Sequence, residues 1–129
     1  MPAAAAIHTL IVDDQASMRA LIRTSMQQLG FREFREAGDG EAALRHMITQ
    51  PAHLIISDFN MPNLDGLGLQ RAVRAHPPIA GAAFIMLTGR ADRELVARAV
   101  QFGVNNYLVK PFTVVQLKEK VETVFGVLT

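Results

Sequence analysis

The sequence predicts an α/β protein, a parallel β-sheet covered on both faces by amphipathic helices. Short apolar runs alternate with stretches of helical periodicity five times along the chain, the pattern of strand–helix–strand units joined by right-handed crossovers. Four of the runs, Thr9–Val12, His53–Ser57, Ala83–Leu87 and Asn106–Val109, have the length and branching of buried strands. Each of these four ends at chemically active side chains: Asp13-Asp14, Asp58, Thr88 and Lys110.

The elements follow in order. After the first run, Met18, Leu21, Ile22, Met26 and Leu29 keep the three-and-four spacing of one helix face, and Gly30 is the natural stop. Phe31–Glu36 reads as a short strand interrupted by charges. Asp39-Gly40 makes a turn, and Leu44, Met47 and Ile48 line a second helix. The run ending at Asp58 opens a loop, Phe59-Asn60-Met61-Pro62-Asn63-Leu64, of turn-forming composition. Asp65 caps a third helix with Leu69, Ala72 and Val73 inward. Gly66 and Gly68 each weaken that helix by up to roughly 1 kcal/mol at interior positions, which predicts a short element. Pro77-Pro78 breaks the chain before the fourth strand. Asp92 caps a fourth helix carrying Leu95, Val96, Ala99 and Val100, closed by Gly103. Thr113 caps a fifth, with Leu117, Val121, Val124 and Phe125 on one face.

A chain of 129 residues suits a single domain. Half of its residues are hydrophobic and 19% are charged, as in a soluble globular protein. A formal net charge of +1 supplies no field for nucleic acid or acidic membranes. Cysteine is absent, which excludes disulfides and thiolate metal sites and fits a reducing compartment. The start, Met1-Pro2-Ala3-Ala4-Ala5-Ala6, is a poor signal peptide, and no apolar stretch is long enough to span a bilayer. The expectation is a cytoplasmic monomer with no nucleic-acid or membrane partner. His8, His46, His53 and His76 are scattered without ligand spacing and read as ordinary residues. No glycine-rich phosphate loop with a following lysine occurs.

Ligands of open α/β sheets bind at the carboxyl ends of the strands. Three carboxylates, a hydroxyl and an ammonium therefore converge on one pocket. Carboxylates gathered this closely resist joint ionisation unless a cation intervenes, and Mg²⁺, with its preference for carboxylate, water and phosphate oxygens, answers that need. Asp58 is the candidate nucleophile, since a carboxylate oxygen can attack phosphorus to give an aspartyl-phosphate. A transferred phosphoryl group spreads charge over three oxygens; the metal, Lys110 and Thr88 can each meet one. Against this stand plainer roles: solvated loop acids, a metal ligand or cap at Asp58, an exposed strand end at Lys110. The proline after Lys110 predicts a fixed geometry, with a cis bond open to it.

Taken in order, Leu10-Ile11-Val12-Asp13-Asp14, Ser57-Asp58-Phe59-Asn60-Met61-Pro62-Asn63-Leu64-Asp65-Gly66, Met86-Leu87-Thr88-Gly89 and Tyr107-Leu108-Val109-Lys110-Pro111-Phe112 resemble the receiver domain of bacterial response regulators. The likeness runs from about Ile7 to Phe125. Met18-Arg19 after the acid pair and the Asn60–Asn63 loop make it most similar to the stand-alone, CheY-like chemotaxis members. The resemblance implies a flavodoxin-like sheet of order 2-1-3-4-5 with five helices. It implies phosphorylation of Asp58 by a histidine kinase, a histidine phosphotransfer protein or a small phosphodonor. It further implies Mg²⁺ (or Mn²⁺) held by Asp14, Asp58 and the Asn60 carbonyl, with Asp13 acting mainly through water. Thr88 and Tyr107 would form the switch. An output face containing Ala91, Arg93, Val96, Val100, Val104, Tyr107, Gln116 and Lys120 would meet a partner such as the flagellar motor switch protein. Phe59 departs from the tryptophan common in chemotaxis relatives, and Arg90 from a common acid; Arg90 and Asn60 would tune phosphoryl lifetime or phosphatase entry. Such a protein catalyses only its own modification and hydrolysis. The competing expectations are a phosphorelay intermediate, a stress or cell-cycle regulator, the receiver of a longer transcription factor, or a magnesium-dependent aspartyl phosphatase. The last usually needs an acid two residues after the nucleophile, where this chain has Asn60.

Overall fold

The computed structural model describes residues 3–89, 97–98, 101 and 106–129. Its strands are β1 (His8–Val12), β2 (Glu33–Ala37), β3 (Leu54–Asp58), β4 (Ala83–Thr88) and β5 (Asn106–Val109). They form one parallel sheet in the order β2-β1-β3-β4-β5, the topology expected. The described helices are α1 (Ala16–Gln28), α2 (Gly40–Thr49), α3 (Gly66–Ala75) and α4 (Val114–Phe125), the last being the helix anticipated as the fifth. The anticipated Asp92–Gly103 helix lies outside the described residues except for Ala97, Arg98 and Gln101, which are helical. No described helix is long and apolar enough to cross a membrane.

Strand periodicity sorts the core into two layers. Leu10, Val12, Ile55, Phe84 and Met86 pack with Ala43 and Met47 of α2 and with Leu69 and Val73 of α3. Their alternates Ile11, Leu54, Ile56, Ile85, Leu87 and Leu108 pack with Ile22 and Met26 of α1 and with Leu117 and Val121 of α4. The sheet is thus buried on both faces, which is why its central runs are continuously apolar.

Several boundaries and faces differ from expectation. Asp58 and Thr88 are themselves the last residues of their strands. β2 begins at Glu33, and Phe31, buried before it, joins the α1/α4 layer. Leu21 and Ile48 stay half exposed, at 50% and 53%. Each lies one residue beside a buried stripe, hence about 100° around the helix from it. Fully buried Gln70 takes an inward place on α3, and its side-chain amide has no hydrogen-bond partner among the described residues. His8 and His53 meet through the β1–β3 pairing. Their rings are 5.5 Å apart and His53 Nδ1 accepts the His8 amide at 2.9 Å, so the neutral ring carries its proton on Nε2.

The glycines of α3 stand in its first turn, where the expected interior penalty does not apply. A Cβ on Gly66 would lie 2.3 Å from the Asp58 carbonyl oxygen and 2.7 Å from Met86 Sδ. The helix therefore starts directly against the backbone of the candidate nucleophile. Gly66→Ala is expected to cost at least roughly 1–3 kcal/mol, the scale of overpacking. Gly81→Ala, which meets open space, should stay within about 0.5 kcal/mol of the parent. Urea midpoints measure both, and an unshifted Gly66→Ala midpoint contradicts the close approach.

Candidate functional site at the carboxyl edge of the sheet

Hydrogen bonds of the ladder continue past the strands and hold their ends together. The Asp13 amide donates to the Ala37 carbonyl at 3.2 Å, the Phe59 amide to Leu87 at 2.9 Å and the Lys110 amide to Thr88 at 2.7 Å. Asp58 is in register with Leu87, and Thr88 with Val109. From that frame Lys110 Nζ reaches Asp58 Oδ1 at 2.8 Å. One carboxylate oxygen from each of Asp13, Asp14 and Asp58 lies within 4.8 Å of the others. Asp13, Asp58 and Thr88 are buried and Asp14 is exposed. The Lys110-Pro111 bond is cis.

Burial raises the Asp13 carboxyl above its ordinary value, and the charges of Asp58 and Asp14 add to the rise. The Gln15 amide, donating to Asp13 Oδ1 at 2.9 Å, and the Lys110 ammonium oppose it. Asp13 Oδ2 is buried without a hydrogen-bond partner among the described residues. A buried acceptor lacking a donor, inside a cluster made only of oxygen ligands, suits a hard divalent cation. Asp13, Asp14 and Asp58 would each offer it a carboxylate oxygen.

That loop is tied down by residues the sequence reading did not single out for the site. Asn63 adopts φ 67° and its Nδ2 donates to Asp39 Oδ2 at 2.9 Å. The Gly40 amide donates to the Leu64 carbonyl at 3.1 Å, and a Cβ on Gly40 would lie 2.2 Å from that oxygen. Asp39, taken as a turn residue, is the N-cap of α2, its Oδ1 accepting from the Ala42 amide at 2.8 Å. Those donors lower its pKa. The cap signature, an acid before glycine and a helical stripe, was legible; the link to Asn63 was not, because 24 residues separate the pair. Arg19 was also missed as a site residue: its Nη1 donates to the Asp13 carbonyl at 2.6 Å.

Of the anticipated output face, Tyr107 is half-buried against the α2/α3 layer with Lys120 Nζ 5.3 Å from its ring centroid. The side chain of Gln116 is engaged in a capping box with Thr113. Arg90, Ala91, Arg93, Val96, Val100 and Val104 lie outside the described residues.

A doubly covered 2-1-3-4-5 sheet with an acid cluster and a lysine-paired aspartate at its carboxyl edge defines a class, the receiver module of two-component signalling. The chain belongs to the response regulator receiver domain family, which it matches over residues 9–122. It is 52% identical to the probable chemotaxis protein CheY of Rhizobium etli over 99% of both chains. Among solved structures it is similar to chemotaxis response regulator CheY4 of Vibrio cholerae, with a TM-score of 0.84 and 31% identity over 96% of this chain and 99% of that one. It is also similar to the receiver domain of a Pseudomonas aeruginosa sensor histidine kinase with magnesium in its active-site cleft. There the TM-score is 0.83 and identity 29%, over 94% and 98% of the two chains.

Because the folded pKa of Asp13 is raised, folding favours the protonated form. The resulting penalty is absent below the unfolded value and complete above the folded one. In metal-free buffer Asp13→Asn is expected to stabilise the chain at about pH 7 and to leave it unchanged at about pH 3. Equal urea midpoints for variant and parent at the higher pH would exclude this penalty.

Proposed function

We propose that the chain is a phosphorylation switch in which Asp58 takes a phosphoryl group from the phosphohistidine of a kinase or histidine phosphotransfer protein. The observation that carries this reading is the 2.8 Å contact of Lys110 Nζ with Asp58 Oδ1 beside two further acids. A carboxylate oxygen of Asp58 attacks phosphorus as the P–N bond breaks. The electron pair leaves on the imidazole nitrogen, which is protonated from solvent, and an acyl phosphate remains on Asp58. Lys110 moves its contact from the carboxylate to one phosphoryl oxygen, and Thr88 donates its hydroxyl to another. When bound, Mg²⁺ or Mn²⁺ supplies positive charge beside the remaining oxygen. Water later attacks phosphorus, releasing inorganic phosphate and restoring the carboxylate. The chain catalyses nothing beyond its own modification and its reversal.

The new charge draws Thr88 toward the pocket and Tyr107 follows, which changes the surface around β5 and α4. Similarity to a probable chemotaxis protein supports a motility role, with the flagellar motor switch protein as reader and a phosphatase ending the signal. Arg90 and Asn60 set how long the phosphoryl group lasts. A cytoplasmic, monomeric protein is part of the same proposal.

Acetyl phosphate with Mg²⁺ is expected to add one phosphoryl group, detectable by intact mass, to the parent and none to Asp58→Asn. Labelling of Asp58→Asn to the same extent would remove Asp58 from its role. In the same assay Arg90→Glu should change the decay rate of the acyl phosphate, and an unchanged decay with and without phosphatase ends that assignment. A pull-down with motor switch protein should strengthen about tenfold or more on adding beryllofluoride and Mg²⁺, the scale of a coupled switch. Capture that ignores beryllofluoride points away from flagellar control.

A further inference from the structure

Holding Asp13 and Asp14 within reach of Asp58 requires force from outside the acid turn, and Arg19 is placed to supply it. Its Nη1 donates to the Asp13 carbonyl at 2.6 Å while its Nε donates to Glu36 Oε1 at 3.0 Å. The other oxygen of Glu36 is ion-paired with Arg23 Nε at 3.4 Å. The guanidinium is therefore anchored to β2 on one side and grips the acid turn on the other. The Asp13 carbonyl belongs to the peptide joining the two acids. A peptide is planar, so its oxygen, its N–H and the Cα atoms of Asp13 and Asp14 move together. Gripping the oxygen fixes the peptide plane from which both acidic residues depart.

We propose that Arg19 is a positioning residue for the cation site, setting the common peptide plane of Asp13 and Asp14. The inference rests on the reading that these acids take up a divalent cation. It concerns geometry and not screening, because the ammonium of Lys110 is the cation that eases ionisation of Asp13. The positive charge of Arg19 is engaged with Glu36. Two donors at fixed separation on one rigid plane are needed, which a lysine with its single nitrogen does not provide.

The test is calorimetric titration of Mg²⁺ into metal-free protein for the parent, Arg19→Lys and Arg23→Lys, with urea midpoints measured alongside. Arg19→Lys is expected to weaken Mg²⁺ binding about tenfold or more, as loss of an outer partner of a metal ligand does. Arg23→Lys, which disturbs the same Glu36 without touching the acid turn, should bind within about twofold of the parent, as expected for a partly exposed ion pair. Phosphorylation of Arg19→Lys by acetyl phosphate should return to the parent rate once Mg²⁺ is saturating. Any loss of fold shows in the midpoint, and Mg²⁺ binding is then compared in conditions where every variant is native. Equal affinity in Arg19→Lys, an equal loss in Arg23→Lys, or a rate that saturating Mg²⁺ fails to restore each overturns the proposal. A parent that binds no Mg²⁺ overturns the cation reading itself, and the role of Arg19 falls with it.

Discussion

Like charges at close range govern this molecule. One oxygen from each of Asp13, Asp14 and Asp58 lies within 4.8 Å of the others, and two of those side chains are largely out of water. Burial weakens the screening that makes exposed acid pairs harmless, so the cluster opposes its own formation. What holds it is the sheet. The acids come from two non-consecutive strand ends whose positions are set by backbone hydrogen bonds, and the apolar runs behind them are fully buried. Core packing thus offsets the repulsion and leaves a cluster compatible with a bound cation.

Lys110 answers part of that demand. Its ammonium sits on Asp58 Oδ1 at 2.8 Å, where it partly neutralises the pocket. The pair is more than a surface ion pair, because the Asp58 side chain is 9% exposed and little screened. Around it the supports come from unrelated parts of the chain. Glycine at the start of α3 lets that helix touch the Asp58 backbone, and the N-cap of α2 ties the loop that follows β3. The edge strand β2 contributes Glu36, against which Arg19 is braced.

The same strands lead from the pocket toward the far side of the sheet. The Thr88 carbonyl accepts the Lys110 amide, and two residues earlier on β4 Met86 is in register with Tyr107. Thr88 and Tyr107 thus stand on neighbouring strands joined by the same ladder. Lys120 over that ring couples it to α4, whose first turn is closed by Thr113 and Gln116.

The sequence by itself determined the strand–helix alternation, the parallel sheet and the residues at its carboxyl edge. Each is written in local order: apolar runs of strand length, helical stripes, and polar side chains where a run stops. Asp58 and Lys110, 52 positions apart, could be paired in thought because parallel strands end on one edge. Helix faces were legible only in part. Leu21 and Ile48 look like members of their stripes and are exposed, whereas Gln70 looks peripheral and is buried, because the width of a buried face depends on what covers it. Only the tertiary structure decided that Gly66 and Gly40 are close-approach positions, that Asn63 answers to Asp39, and that Arg19 grips the Asp13 carbonyl. All but the Asn63–Asp39 pair involve a backbone oxygen. Backbone atoms are identical at every residue, so no residue type announces which of them a folded neighbour will meet.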